Sequence, residues 1–240
     1  MPGVNLLLLR AEEVSADGIV RLEGRRLEHL REVLRVQKGQ TIRVGIHGGL
    51  MGTAEVLSAD TLKVNVTEAP PPRANVSLIL AVPRPKQLKR VIPAVASLGV
   101  DRVVLINAAR VEKSYFDSKV LNAEFLDSLV DLGLEQACDT VPPQLIVRER
   151  LKPFIEDELA TWAPASAVRQ IPHPYAERAL GPVPHEQHVV LAIGPDGGWV
   201  PYEVELFQKN GFTPVSLGRR VLRGEVAVPT VLGALRAAIP

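Results

Sequence analysis

Hydrophobic and polar positions follow one pattern in the first seventy residues of the chain and another beyond them. Five short segments, alternating or β-branched and bounded by Gly, Asp or Asn, predict strands; they are Val4–Leu9, Gly18–Leu22, Thr41–Ile46, Gly52–Ser58 and Thr61–Thr67. Leu27, Leu30 and Leu34 recur at helical spacing and predict one helix over Arg25–Arg35. Short strands clustered in this way predict a small β-barrel.

Three consecutive prolines, Pro70 to Pro72, separate the two patterns. Because neither a helix nor the interior of a sheet accommodates such a run, it predicts a stiff linker and a domain boundary. We therefore expect one domain over residues 1–69 and another over residues 74–240, joined by residues 70–73.

Beyond the linker, predicted strands alternate with predicted helices. The strands are Val76–Val82, Arg102–Ile106, Leu145–Val147, Ala167–Ile171, His188–Ile193 and Thr213–Leu217. The helices are Lys86–Leu98, Ser118–Ala137, Pro201–Asn210 and Val228–Ile239. Pro93 predicts a kink or a late start in the first of these helices. Strands in alternation with helices predict an α/β fold with a buried parallel sheet.

Composition narrows the class of protein without changing this picture. Hydrophobic residues make up 46% of the chain and charged residues 23%, which suits a globular core, and the net charge of +1 predicts no bulk attraction to nucleic acid. Residues 84–113 hold seven basic and two acidic side chains, whereas residues 114–160 hold four and ten. This asymmetry indicates either a positive patch or two solvated faces of opposite sign.

Several sequence signatures are missing, and their absence restricts the function. The single cysteine, Cys138, provides no disulfide framework, and the five histidines show no metal-ligand spacing, so we expect no metal. No phosphate-binding P-loop, dinucleotide fingerprint or serine-hydrolase elbow occurs. No signal peptide or membrane-spanning stretch is recognisable, so we expect a soluble, cytoplasmic protein.

The most informative segments are two strand ends that open into glycine. Leu191–Trp199 runs from an apolar strand into Gly-Pro-Asp-Gly-Gly, and Ser216–Glu225 runs from a second strand into Leu-Gly and then Arg-Arg-Val-Leu-Arg. Ligands of α/β sheets bind at the carboxyl ends of strands, and glycine lets bare backbone approach them closely. The pair therefore predicts a site for a flat small molecule such as an adenine ring, held between apolar flanks.

Arginines near these loops have two interpretations. Arg219, Arg220 and Arg223 are either ordinary surface charges or phosphate contacts beside the glycine loop. The same choice applies to Arg26, Arg31 and Arg35, which otherwise form a solvated face interspersed with Glu28 and Glu32.

The two glycine loops, in this order near the C-terminus, resemble the cofactor loops of the SPOUT RNA methyltransferases, and most of all those of the RsmE family. Further likenesses are His29–Arg35 with Lys38-Gly39, Leu98–Val100, Glu135–Cys138 and His173-Pro174. The resemblance implies a trefoil-knotted α/β domain, an exception to unknotted topology, with a PUA-like RNA-binding barrel before it. It also implies a homodimer that methylates N3 of a uridine in small-subunit (16S) ribosomal RNA with S-adenosylmethionine, on RNA that is free or within the small ribosomal subunit.

Carried over residue by residue, the resemblance implies three groups of site residues. The cofactor residues are Leu191, Ile193, Gly194, Pro195, Gly197, Leu217, Gly218, Val221 and Leu222. The RNA contacts are Arg26, Arg31, Arg35, Arg84, Lys86, Arg110, Arg219 and Arg220. Glu225 is the candidate base for the N3 proton, and Arg223 is the candidate group that stabilises negative charge on the uracil oxygens.

Some positions depart from the family pattern. Gly224 and Val226 replace two hydroxyl residues, Asp196 stands where Glu is usual, and Asp139 reverses a charge. Three alternatives therefore stay open: a SPOUT enzyme acting on another RNA nucleotide, an RNA-binding protein with a degenerate knot and no catalysis, and an unrelated α/β enzyme that uses another nucleotide.

Overall fold

The computed structural model describes residues 6–28, 30–31, 35–116 and 119–235. These form two compact units: the described residues up to Pro71 together with Asp131–Pro142, and Pro72–Val130 with the described residues from Pro143 onward. The sequence-based division counts Asp131–Pro142 with the second domain. In the structure this segment packs within the first unit, where the Gly48 N–H donates to the Thr140 carbonyl over 2.7 Å.

The first unit contains one sheet of five strands. They are β1 (Leu7–Leu9), β2 (Ile19–Arg21), β3 (Thr41–Ile46), β4 (Met51–Val56) and β5 (Thr61–Glu68). The order is β1-β3-β4-β5-β2, with β1 parallel to β3 and the other pairs antiparallel. All five predicted strands are present within a few residues, and residues 4–5 of the first prediction lie outside the described residues.

One short helix, α1 (Gly24–Glu28), begins the predicted Arg25–Arg35 segment. Residues 29 and 32–34 of that prediction lie outside the described residues. Leu30 is fully buried, as its place in the leucine pattern predicts. The core of this unit is formed by apolar side chains that alternate along the strands, including Leu9, Val20, Val44, Val56 and Leu62.

The second unit is built on a parallel sheet of six strands. They are β6 (Val76–Ala81), β7 (Arg102–Ile106), β8 (Gln144–Arg148), β9 (Val168–Pro172), β10 (Val189–Ile193) and β11 (Thr213–Val215). The order is β11-β9-β10-β6-β7-β8. Every residue of β6 and β10 is buried, because both strands are central and covered on both faces.

Helices alternate with these strands along the chain. They are α2 (Pro85–Ser97), α3 (Lys113–Phe116), α4 (Ala123–Ala137), α5 (Leu151–Pro153), α6 (Leu159–Trp162), α7 (Pro201–Lys209) and α8 (Gly224–Leu235), with a π-helical turn at Phe154–Glu158 between α5 and α6. The residues of α4 from Asp131 onward belong to the first unit. The helical run from α5 to α6 and the short α3 were not predicted, and α8 begins four residues before its predicted start at Val228. No described helix has the length and apolar character needed to cross a membrane.

Candidate cofactor and substrate site

All six strands of the second unit are parallel and end at the same edge of the sheet. Parallel pairing aligns β6, β7 and β10, with Ile193 opposite Leu80 and Leu80 opposite Leu105. The strand order turns at the β6–β10 pair, since later strands extend from it in both directions. Ligands of open α/β sheets bind in the crevice outside such a switch point. The loops after β6, β7, β9, β10 and β11 bound two cavities there.

The larger cavity has a volume of about 460 Å³. Three strand-end loops and the start of α8 line it; the residues are Arg110, Pro172–Tyr175, Ile193–Trp199, Leu217, Gly218, Arg220–Leu222, Gly224 and Ala227. Its walls are mostly apolar side chains and glycine backbone, with two arginines at the rim. This lining suits a flat, largely apolar ligand that carries a few polar groups.

The Gly194–Trp199 loop folds back on itself after β10. The Gly198 N–H donates to the Pro195 carbonyl over 2.7 Å, and Gly198 has a φ of +71°, which favours glycine. A Cβ on Gly194 would lie 3.2 Å from the Trp199 ring, so close packing of the buried indole also requires glycine there. The loop is therefore held in one shape by local bonds and by Trp199.

A buried carboxylate joins this loop to the neighbouring one. Glu203, in the first turn of α7, is 4% exposed and accepts the Val200 N–H over 2.9 Å and the Ala109 N–H over 2.8 Å. The next residue, Arg110, donates to the Gly197 carbonyl. The loops after β7 and β10 are thus fixed to each other at two points.

A smaller cavity of about 120 Å³ lies on the other side of the β10 loop. Its lining consists of Val82–Arg84, Arg110, Glu112, Tyr115 and Pro195–Gly197. Asp196 accepts from the Gln87 amide over 3.2 Å and faces the Arg84 guanidinium at 3.3 Å. Partial burial and the Glu112 carboxylate raise the pKa of Tyr115, so its phenol is neutral over the physiological range.

The second glycine loop borders the larger cavity from the side of β11. The Gly218 N–H donates to the Ser216 hydroxyl over 3.0 Å, and the φ of Gly218 is +104°. A Cβ at Gly218 would meet nothing within 4 Å, so the residue faces open space. Gly218 therefore leaves backbone accessible at the point where the sequence predicts cofactor contact.

The structure brings together most of the predicted cofactor residues. All of them except Leu191 line the larger cavity; Leu191 is fully buried within β10, where it supports the strand from inside the sheet. Of the predicted RNA contacts, Arg110 and Arg220 line this cavity and Arg84 lines the smaller one. Lys86 and Arg219 are exposed.

The two predicted catalytic residues lie at the start of α8. The Arg223 side chain is exposed and its carbonyl accepts the Val226 and Ala227 N–H groups, which begins the helix. Glu225 faces Arg90 of α2 at 3.7 Å, and its Oε2 is buried without a hydrogen-bond partner among the described residues. Neither residue is in the lining of either cavity.

Arg26 lies in the first unit, where its side chain bonds other residues of that unit. Its guanidinium pairs with the Glu13 carboxylate, which raises the pKa of Arg26, and also donates to the Leu8 carbonyl. Arg31 and Arg35 are exposed. The Arg26 guanidinium is therefore already bonded to other groups of the first unit.

The predicted set omits the three aromatic side chains that line the larger cavity, and also Asp196. His173 and Tyr175 follow β9 with their rings edge to face at 5.8 Å, and Tyr175 is 89% exposed. Trp199 packs edge to face on Phe207 at 4.9 Å. The signal for His173 and Tyr175 was their position directly after a predicted strand, at the edge where the two glycine loops lie.

No three His, Cys, Asp or Glu side chains converge as a metal site would require anywhere in the described ranges. Backbone polar groups, apolar walls, two arginines, His173, Tyr175 and the Asp196 carboxylate are the groups that the larger cavity offers to a ligand.

Comparisons with known proteins agree with this arrangement. The profile of the RNA methyltransferase domain family matches residues 70–236. A ribosomal RNA small subunit methyltransferase E from Treponema pallidum (strain Nichols) is 30% identical over 93% of this chain and 87% of that protein.

Two solved structures share the fold over nearly their whole length. A ribosomal RNA small subunit methyltransferase E from Neisseria gonorrhoeae, bound to S-adenosyl methionine, has a TM-score of 0.76 at 21% identity and covers 97% of both chains. A probable rRNA-methyltransferase from Porphyromonas gingivalis has a TM-score of 0.73 at 26% identity and covers 95% of both. The family match and the relative from Treponema together show that this chain belongs to the RsmE family of RNA methyltransferases.

Proposed function

We propose that this protein methylates N3 of one uridine in the RNA of the small ribosomal subunit, with S-adenosylmethionine as methyl donor. The observation that carries the proposal is the cavity of about 460 Å³ between the two glycine loops, in a chain of the RsmE family. A relative from Treponema is named as a small-subunit ribosomal RNA methyltransferase, and a structural neighbour is described as bound to S-adenosyl methionine.

The residues around the larger cavity fit this cofactor. Apolar side chains suited to the faces of an adenine ring come from both loops; they are Ile193, Leu217, Val221 and Leu222. Gly194, Gly197 and Gly218 leave backbone accessible beside them, and Pro195 shapes the turn. When bound, the cofactor supplies an electrophilic methyl group on a positively charged sulfur.

The arginines around the site are proposed to hold the RNA. Lys86, Arg219 and Arg220 are exposed in the second unit, where they can meet phosphates without first breaking a buried contact. Arg31 and Arg35 are the proposed phosphate contacts of the first unit. The target uridine must leave its base stack, since chemistry at N3 needs access to the Watson–Crick edge.

We also propose the finer architecture that the family resemblance implies. The five-stranded sheet of the first unit is a PUA-like RNA-binding barrel, and the second unit, Pro72–Val130 with the described residues from Pro143 onward, is the catalytic domain. A trefoil knot in that domain is proposed from membership of the RsmE family. A homodimer is supported by exposed apolar side chains at Val221 and Val226.

The test is methylation of isolated small ribosomal subunits that lack N3 methylation, with free 16S RNA, large subunits and transfer RNA as parallel substrates. We expect one 3-methyluridine per small-subunit RNA, located by mass spectrometry of nuclease fragments. Methylation of another base, or of another RNA, would assign the protein to a different SPOUT activity. Cofactor binding without methylation of any of these RNAs would contradict the proposal.

A further inference from the structure

The β10 loop separates two cavities and contributes the same residues to both. Pro195, Asp196 and Gly197 line the larger cavity on one side and the smaller cavity on the other, together with Arg110. Only Asp196 among these four carries a carboxylate. A base and a methyl donor in adjacent cavities would therefore meet at Asp196.

The chemistry of uracil N3 sets a condition on the proton acceptor. The N3–H bond lies in the ring plane, along the direction from which the methyl group must arrive. The proton must therefore leave before the new bond forms, and its acceptor must stand at the boundary between the base and the methyl donor. Two acceptor oxygens, O2 and O4, flank N3 and take up negative charge as the proton leaves.

The smaller cavity is lined by groups that match the O2, N3 and O4 atoms of uracil. Asp196 is an acceptor with 34% of its side chain exposed, so it is reachable from the cavity. Arg84 and Arg110, from the loops after β6 and β7, are donors in the same lining. Resting on the function proposed above, we propose that the smaller cavity holds the target uracil, that Asp196 accepts the N3 proton, and that Arg84 and Arg110 stabilise the charge on O2 and O4.

The step balances in atoms and charge. The N3–H bond breaks, its electron pair stays on N3, and the proton moves to an oxygen of Asp196. The pair on N3 then forms the bond to the methyl carbon while the carbon–sulfur bond breaks with its electrons on sulfur. An anionic carboxylate and a cationic sulfonium become a neutral acid and a neutral thioether, and the uracil is neutral before and after.

Tyr115 completes the wall on the side of the β7 loop. Its ring lines the smaller cavity, and its neutral phenol suits packing against an uncharged base. The charged and titratable groups that line this cavity with Asp196 are Arg84, Arg110, Glu112 and Tyr115.

Glu225 is less well placed than Asp196 to accept a proton at the boundary between the base and the methyl donor. It lies in the first turn of α8 facing Arg90, outside the lining of both cavities. Asp196 is therefore the better candidate for direct contact with the reacting edge, and the two carboxylates can be separated by experiment.

The experiment is single-turnover methylation of small subunits at saturating S-adenosylmethionine, measured from neutral to alkaline pH. Asp196→Ala is expected to lower the rate about 100-fold or more at neutral pH. Its rate should then rise about tenfold per pH unit, because the reaction depends on uridine that has already ionised. Asp196→Glu is expected to restore most of the rate and the wild-type profile. Asp157→Ala, which removes an exposed carboxylate from the π-helical turn, is the matched control.

A second variant separates proton transfer from loop positioning. Gln87→Ala removes one bond that holds Asp196 but keeps the carboxylate, so its pH profile should retain the wild-type shape. The inference is overturned if Asp196→Ala stays within tenfold of the wild-type rate, or if Glu225→Gln is the variant that acquires the steep alkaline dependence. If the wild-type protein forms no 3-methyluridine in small subunits, the proposed function itself fails, and this inference with it.

Discussion

Replacing Glu203 by alanine is the sharpest test of how the site is held together. The buried carboxylate accepts two backbone N–H groups, from Val200 at 2.9 Å and from Ala109 at 2.8 Å. The substitution removes both bonds and leaves a small gap at the start of α7. It therefore removes one of the two connections between the loop after β7 and the loop after β10, and leaves the bond from Arg110 to the Gly197 carbonyl.

The magnitude follows from the environment of the two donors. A hydrogen bond to a charged group contributes about 1.5–3 kcal/mol. Ala109 is exposed and Val200 is half-buried, so water can satisfy their N–H groups in part once the carboxylate is gone. We therefore expect a loss of about 2–4 kcal/mol in the free energy of unfolding, which lowers the melting temperature by roughly 2–4 °C per kcal/mol for a domain of this size.

Tryptophan fluorescence is a suited probe, because both tryptophans, Trp162 and Trp199, lie in the second unit. Glu205→Ala, an exposed change on the same helix, is the control and should melt with the wild-type protein. Glu203→Gln keeps one acceptor oxygen and should fall between the two. Equal melting temperatures for Glu203→Ala and Glu205→Ala would refute this account of the loop anchor.

Two further predictions concern the first unit. Arg26→Gln is expected to lower the free energy of unfolding of the first unit by about 1–2 kcal/mol, because the half-buried guanidinium pairs with Glu13 and bonds the Leu8 carbonyl. An RNA-binding defect without any loss of stability in urea would contradict this structural role. Bonds from Ser58, Thr61 and Arg21 lower the pKa of Asp60 to about 2. Because this pKa lies below the unfolded value, the stabilisation by Asp60 is complete above about pH 4 and disappears as the pH falls toward 2. The difference in free energy of unfolding between Asp60→Asn and the wild-type protein, measured in urea, should therefore narrow across that interval. A difference that stays constant with pH would contradict the lowered pKa of Asp60.

Strand positions were predictable from the sequence because burial repeats along a strand with a simple period. Thr41–Ile46 and Arg102–Ile106 coincide with β3 and β7, and the other strands differ at their ends by a few residues. Alternation marks strands with one buried face, and a continuous apolar run marks a central parallel strand. Ends are less predictable, because the last hydrogen bonds of a ladder depend on neighbouring strands.

Helices with special starts or interruptions were harder to predict. α8 begins at Gly224 because the Arg223 carbonyl accepts the first N–H groups of the turn. The sequence did not predict this start, since glycine disfavours helix formation. The helical run from Leu151 to Trp162 was not predicted because Pro153 lies within it. In the structure the run continues after Pro153 through a π-helical turn. Pro93 stands inside α2, which runs unbroken from Pro85 to Ser97.

The site was predictable where backbone conformation dictates the residue and less so where contacts are distant in sequence. Gly194 and Gly218 signalled the cavity because side chains would crowd Trp199 or strain the backbone. The role of Asp196 depends on Gln87 and Arg84, more than a hundred positions earlier in the chain. No local pattern reveals such a pairing, since the parallel sheet creates it.

Calorimetric titration of the protein with S-adenosylmethionine tests the central claim most directly. We expect saturable binding by the wild-type protein, and loss of binding in Gly218→Trp, whose side chain would enter the open space beside the second glycine loop. Fluorescence melting must show that the variant is folded, because the φ of +104° at this position disfavours any side chain. Wild-type protein that does not bind the cofactor, or a folded Gly218→Trp variant that binds it with unchanged affinity, would contradict the claim that these two loops form the cofactor site.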